Sequence, residues 1–254
     1  MHLIGLLGAK GVGKDTLAKM LVQQLGFRQT SFARELYREI AFGFRVPVEF
    51  LQNRDTKESP LEALKLSKCL NAEFVETAMM VLRKDRLREV GRSVAGERLC
   101  SLRPQSSSEF PASPGIAERR EELERPRSPR QILQWWGTEY RVLSVFGHRR
   151  YWVNFVRDEI DREPDRDFVI SDVRLFHEAD FTRERQGLLV RVRSLETDRA
   201  AEAARARGDR TALHSSETEL AGCPLDAEVF NVPGRPESML PAVQELLHRR
   251  RHAA

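Results

Sequence analysis

The sequence predicts an α/β fold, with a parallel sheet covered by helices on both faces in three layers, α/β/α. Three observations carry this expectation. Short apolar runs at His2–Leu7, Phe168–Ile170 and Leu188–Val192 alternate with stretches of helical periodicity. The runs are almost unbroken in Leu, Ile and Val, as befits strands buried on both faces. A glycine-rich turn then joins the first run to the first helical stretch, a strand–turn–helix order.

The elements follow in order. Beyond the turn, Leu17, Leu21 and Leu25 recur every four residues and Gly26 supplies a helix stop. Residues 33–44 and 60–83 are expected to be helical, with Pro60 as the opening of the second. Residues 101–129 change character: Pro104, Ser106-Ser107-Ser108, Pro111, Pro114 and the charged stretch Glu118–Arg125 show no periodicity. They are read as a mobile surface insertion within one domain spanning 1–254. Order resumes at Ser128-Pro129, an N-cap followed by proline at the first helical position. Ile132, Trp136 and Tyr140 then share a helical face, which places Trp136 in the core. Trp152, Phe155, Val156 and Ile160 mark another helix, which Pro164 stops. A polar helix over His177–Gln186 ends at Gly187, Val229–Val232 is a last strand, and Met239, Val243 and Leu247 mark a final helix.

Composition narrows the function classes. The 254 residues carry 42 Lys+Arg against 38 Asp+Glu, a net charge of +4, and 41% are hydrophobic. Such a chain buries a sizeable core without disulfides or metal. No run of 18 apolar residues is present, so no membrane partner is expected. Met1-His2-Leu3-Ile4 reads as a strand, not as a signal peptide. Cys69, Cys100 and Cys223 are widely spaced, which argues against a disulfide framework or zinc ribbon and for a cytoplasmic location. Arginine outnumbers lysine 35 to 7 and the pI is about 9.1, which invites a nucleic-acid reading. The arginines alternate with Glu and Asp, however, and form no stripe. They are read as solvated background, with no stable nucleic-acid partner.

The strongest chemical signal is Gly8-Ala9-Lys10-Gly11-Val12-Gly13-Lys14-Asp15-Thr16. Gly8, Gly11 and Gly13 let backbone N–H groups turn toward phosphate oxygens, and the helix starting near Lys14 aims its positive end at them. Lys14 adds a full charge for the β- and γ-phosphates. Where such a P-loop usually has Ser or Thr after the lysine, as a magnesium ligand, Asp15 stands here and Thr16 comes one later. A carboxylate can hold Mg²⁺ as a hard oxygen ligand or face the acceptor, and the sequence leaves both roles open.

The chain lacks the Asn-Lys-x-Asp base-reading motif of GTPases, and its candidate second strand end reads Ser171-Asp172-Val173-Arg174 instead of Asp-Glu. An arginine two residues past Asp172 suits an anionic second substrate better than a hydrolytic water. Asp172 is read as catalytic or substrate-binding, with a cap on the following helix as the structural alternative. Arg130, in the first turn of its helix, can join the helix dipole in binding an anion. Trp152 can stack on a base or wall a pocket. The segment 195–213, with Arg199, Arg205, Arg207 and Arg210, is either a lid over a transferring phosphoryl group or a solvated helix.

Gly8–Thr16, Ser128-Pro129-Arg130-Gln131-Ile132-Leu133-Gln134-Trp135-Trp136-Gly137-Thr138-Glu139, Tyr151-Trp152, Ser171–Arg174 with Glu178, and the stretch from His214 to Asn231 together resemble the deoxynucleoside-monophosphate kinases of tailed phages and some bacteria. The resemblance implies a P-loop kinase fold with helical acceptor-binding and lid segments, ATP and Mg²⁺ as cofactors, and a deoxynucleoside monophosphate as acceptor. It implies that Lys14 and the loop amides hold ATP, with Asp15 and Thr16 near the metal. Lys14, Asp15, Arg130 and Asp172 are then the catalytic residues, and Arg130, Gln131, Gly137, Thr138, Trp152, Asp172, Arg174 and Glu178 form the acceptor site. Gln131 stands where the family commonly has a basic residue. Arg54, Lys57 and Glu58 are similar to an early Arg-x-x-Lys-Glu element of the family. A homodimer is implied by the resemblance alone. Two other readings stay open: a phosphomevalonate kinase, which shares the Gly-Lys-Asp loop and Ser171–Arg174, and a P-loop ATPase that binds nucleic acid.

Overall fold

The apolar run at the amino terminus forms β1 (Leu3–Leu7), every residue of which is buried. The computed structural model describes residues 1–9, 11–97, 115–144, 148, 150–206, 220 and 222–253. After β1 come α1 (Lys14–Leu25), β2 (Arg28–Thr30), α2 (Ala33–Phe44), α3 (Val48–Gln52), α4 (Ala72–Glu97), α5 (Ile116–Glu124) and α6 (Pro129–Gln134). A π-helix (Trp135–Leu143) continues α6, followed by α7 (Tyr151–Arg162), β3 (Phe168–Ile170), α8 (Phe176–Glu184), β4 (Leu188–Arg193), α9 (Leu195–Ala206), β5 (Ala227–Phe230) and α10 (Leu240–Ala253). These elements make two compact units: Met1–Arg34 with Trp152–Ala254, and Glu35–Tyr151.

The first unit holds the sheet, in the order β2-β3-β1-β4-β5 with every pairing parallel. Gly5 at the centre aligns with Ile170 on one side and Leu189 on the other. Alternation along the strands then assigns two faces. Ile4, Leu6, Val169, Val190, Val192 and Val229 join Leu17, Ala18 and Leu21 of α1 and Leu240, Val243 and Leu247 of α10 in one core. Each leucine fully buried there contributes about 1.5–3 kcal/mol. The opposite face receives α8, whose Thr182 methyl comes within 3.2 Å of the position a Cβ on Gly5 would take. This is the expected three-layer α/β/α arrangement. Gly26 closes α1 in the left-handed conformation, as its position after Leu25 predicts.

β2 has no apolar run to announce it. It is held instead by polar chemistry at its end. Glu159 of α7 accepts hydrogen bonds from Thr30 Oγ1 at 2.6 Å and Arg34 Nη1 at 3.0 Å, and Arg28 Nε lies 3.3 Å away. Burial pushes the Glu159 carboxyl up, but the bonds from Arg34 and Thr30 and the charge of Arg28 outweigh it and hold the group below its ordinary range.

The second unit is built on aromatic rings. Trp136 and Tyr140 of the π-helix pack with Phe74 of α4 at ring-centroid distances of 4.4 Å (Trp136–Phe74) and 6.0 Å (Tyr140–Phe74). Trp136 is 2% exposed, as the sequence predicts, although the turn carrying it is wider than an α-helix. Glu39 gathers Trp136 Nε1 at 2.7 Å, Arg141 Nε at 2.8 Å and the Tyr151 hydroxyl at 2.5 Å.

Three sequence expectations need correction. Residues 60–71 are not the start of a helix: Leu61 pairs as an isolated bridge with Arg127, two 3₁₀ turns follow (Glu62–Leu64 and Leu66–Lys68), and Asn71 starts α4 by accepting the Phe74 amide at 2.8 Å. The later part of the stretch read as an insertion contains α5 and a buried ion-pair cluster. There Glu122, 3% exposed, binds both Arg86 and Arg127. Charge pairing supplies what hydrophobic periodicity does not, and residues 101–114 lie outside the described residues. Finally, β5 begins and ends two residues before the expected strand, leaving Asn231 just past its end.

Candidate active site

Every parallel strand ends toward the same edge of the sheet, and open α/β sheets bind ligands at that edge where the strand order reverses. β1 is the reversal point, since the chain passes from it to β2 and β3 on one side and then to β4 and β5 on the other. The glycine-rich loop leaves β1 there. Gly8 (φ 133°) is pressed against β4, where a Cβ would stand 2.2 Å from the Val192 carbonyl oxygen. Gly13 (φ 104°) caps α1 in the left-handed region, and its carbonyl accepts the Leu17 amide at 2.9 Å. Neither conformation tolerates a side chain well.

Lys14 bends back into its own loop: its ammonium donates to the carbonyl oxygens of Gly8 and, at 2.7 Å, of Ala9. Asp15 and Thr16 stand exposed on the first turn of α1, so both oxygen donors face outward at the positive end of the helix. Lys10 lies outside the described residues.

The turn after β3 brings the other carboxylates. Asp172 accepts from the amides of Phe32 and Ala33 at 2.9 and 3.0 Å. It thus caps α2 and not the helix that follows it in sequence. Burial pushes its carboxyl up, the two amides and the charge of Arg174 oppose the shift, and Asp15 reinforces it. Glu178 is 6% exposed, and its Oε2 accepts from the amides of Arg174 at 2.7 Å and Leu175 at 3.0 Å. Burial and the neighbouring Asp172 charge push Glu178 up to about 8. Asp172 thus feels the charges of Arg174 and Asp15, and Glu178 feels those of Asp172 and Arg174. The Arg174 side chain is exposed, whereas Glu178 is spent on local structure and faces backbone amides. Trp152 is buried, with its ring 6.4 Å from that of Phe155.

The second unit holds the remaining predicted residues apart from the arginines of α9, which belongs to the first. Ser128 caps α6 as expected, accepting the Gln131 amide at 3.2 Å. Arg130 pairs with Glu58 through Nε, and its amide donates to the Lys57 carbonyl at 3.0 Å. Lys57 in turn donates to the Tyr37 hydroxyl at 2.9 Å. Lys57 and Glu58 thus come to Arg130 from a segment some 70 residues away, while Arg54 is exposed. Gly137 lies against Leu36, and Thr138 is exposed on the π-helix. Arg199 is exposed on α9, which also carries Arg205; Arg207 and Arg210 lie outside the described residues. Among the described residues no helix is long and apolar enough to cross a membrane, and no cluster of three or more His, Cys, Asp or Glu is placed to hold a metal.

Sequence reasoning gave no role to Asn231. Its side-chain amide donates to the Val12 carbonyl at 3.1 Å, inside the glycine loop. A single Asn after a strand carries no signal in one sequence.

A five-stranded parallel sheet with a glycine loop at its reversal point defines an α/β P-loop kinase-like fold. Comparison with known families is specific. The model of the deoxynucleotide monophosphate kinase family matches residues 2–205, and the chain belongs to that family. A protein of Acanthamoeba polyphaga mimivirus that bears the provisional name deoxynucleotide monophosphate kinase is 28% identical over 194 residues, covering 76% of this chain and 74% of its own.

Proposed function

We propose that the protein transfers the γ-phosphoryl group of ATP to the phosphate of a deoxynucleoside monophosphate, yielding ADP and the deoxynucleoside diphosphate. The family assignment supports a kinase of deoxynucleotides. The observation that carries the finer reading is the convergence of the Gly8–Gly13 loop, Lys14, Asp15, Asp172 and Arg174 at one edge of the sheet.

In this reading the bond from the γ-phosphorus to the β-bridging oxygen breaks as a bond to an acceptor phosphate oxygen forms. That oxygen is already anionic near neutral pH, since the second ionisation of a phosphate monoester lies near about 6. No side chain has to remove a proton. Catalysis is then positioning and charge neutralisation. Loop amides and the α1 terminus hold the donor phosphates, and the Lys14 ammonium exchanges its loop carbonyls for phosphate oxygens. Arg174 and Arg130 neutralise the acceptor phosphate, Gln131, Gly137, Thr138 and Trp152 shape the acceptor site, and arginines of α9 close over the transfer. Asp15 and Thr16, exposed hard-oxygen donors beside the loop, fit Mg²⁺, which when bound screens the donor phosphate charge.

A coupled ADP-release assay across dGMP, dTMP, dCMP, dAMP and phosphomevalonate tests the reading. Turnover that depends on a deoxynucleoside monophosphate is the expected result. Turnover with phosphomevalonate alone, or ATP hydrolysis indifferent to every acceptor, overturns it.

A further inference from the structure

Asn231 sits just past β5, and its own amide donates to the Arg193 carbonyl at 2.8 Å, so its backbone is tied to the end of β4. From there its side chain reaches the glycine loop across 219 residues of sequence and donates to the Val12 carbonyl at 3.1 Å. The same Nδ2 atom lies 2.5 Å from the position a Cβ on Gly13 would occupy. The Val12 side chain is buried in the core, 1% exposed, so this peptide is fixed from two sides.

A trans peptide is planar, with its carbonyl and N–H pointing in opposite directions. Holding the Val12 carbonyl toward β5 therefore aims the Gly13 N–H away from β5. Without Asn231 that carbonyl is free to rotate with the Gly13 φ angle, which glycine does not restrain. A rotated peptide presents an oxygen where phosphate binding requires a donor.

We propose that Asn231 is a positioning residue for the donor nucleotide, setting the peptide between Val12 and Gly13 so that the loop amides point at phosphate. The inference rests on the proposed use of this loop for ATP. It concerns only the donor, so Asn231 is expected to leave acceptor affinity untouched.

Two substitutions separate this role from a general contribution to folding. Asn231→Ala removes the donor. Asn231→Asp keeps the size but sets a carboxylate oxygen against the Val12 carbonyl, where repulsion favours rotation. Calorimetric binding of ATP and ADP, and KM for donor and acceptor measured separately, are the readouts, with thermal unfolding of the ligand-free proteins alongside. Donor Kd and KM are expected to rise about 10-fold in Asn231→Ala, the value of one well-placed hydrogen bond of roughly 1–1.5 kcal/mol. The rise is larger in Asn231→Asp, and acceptor KM stays within about twofold of wild type. If wild-type protein binds ATP but both variants bind it equally well, or if donor and acceptor KM rise together, the assignment of Asn231 is overturned. If wild-type protein binds neither nucleotide, the reading of the loop itself fails.

Discussion

Asp172 accepts the amide proton of Ala33 at 3.0 Å, and its other carboxylate oxygen takes that of Phe32 at 2.9 Å, so a residue at the end of β3 caps a helix that starts some 140 residues earlier. The initial N–H groups of a helix have no partner within it, and a side-chain cap contributes about 1 kcal/mol. Asp172→Ala is expected to destabilise the protein by about 1–2 kcal/mol in urea unfolding. Asp172→Asn, which keeps one acceptor oxygen, should recover roughly half of that loss. An unchanged midpoint in the alanine variant would show that the cap is dispensable.

Glu178 gives a pH dependence with a defined sign. Burial and the Asp172 charge raise its folded-state value to about 8, above that of an unfolded glutamate. The folded protein therefore holds a proton that the unfolded chain has already released, and stability falls as pH rises. The loss accumulates between the unfolded value, about 4.3, and about 8, and then levels off. Glu178→Gln preserves an acceptor for the Arg174 and Leu175 amides without the ionisation. At about pH 4, below the unfolded value, the two proteins should melt alike. The variant should be increasingly the more stable as pH approaches 8. A parallel pair of melting curves across that range contradicts the burial argument.

Much of the sheet and the loop was legible because the signals are local. Gly8, Gly11, Gly13 and Lys14 lie within seven residues, and the Ser128 cap is read from its neighbour Pro129. What escaped was set by distant partners. Pro60 looked like a helix opening until Leu61 found Arg127, and the charged 118–125 stretch looked irregular because Glu122 is held by Arg86 and Arg127 instead of by an apolar face. β2 is only three residues, Arg28-Gln29-Thr30, and exists because Glu159 and Ser171 hold its polar side chains. The position of Asp172 was legible, but the helix it caps was not.

The aromatic cluster of the second unit makes a packing prediction. Gly43 lies so close to Trp136 that a Cβ there would stand 2.7 Å from the indole Cη2 atom. Removing the indole leaves a cavity among Phe44, Phe74 and Tyr140 and takes from Glu39 one of its donors. Trp136→Ala is expected to cost about 3–5 kcal/mol. Gly43→Ala has less room to relax and should cost about 1–3 kcal/mol. Urea unfolding of the two variants checks the order, and a Gly43→Ala protein as stable as wild type would show that the indole can shift.

Lys14 tests charge against geometry in the proposed transfer. Its ammonium, held by the Gly8 and Ala9 carbonyls, belongs to a flexible stem that can turn to a phosphate without moving the backbone. Lys14→Ala removes the hydrogen bonds to the Gly8 and Ala9 carbonyls, and Lys14 is not part of the apolar core around α1, so its melting temperature should stay within a few degrees of wild type. Turnover should fall by at least about 100-fold, the usual consequence of deleting one charge-stabilising donor. Lys14→Arg keeps the charge but replaces a compact ammonium with a wide planar fork, which cannot sit between the same two carbonyls. It should therefore lose most of the activity as well, with kcat falling more than donor affinity, because charge is still present for binding. Near-normal kcat in Lys14→Arg would mean that positive charge alone suffices, and near-normal kcat in Lys14→Ala would remove the loop from the mechanism.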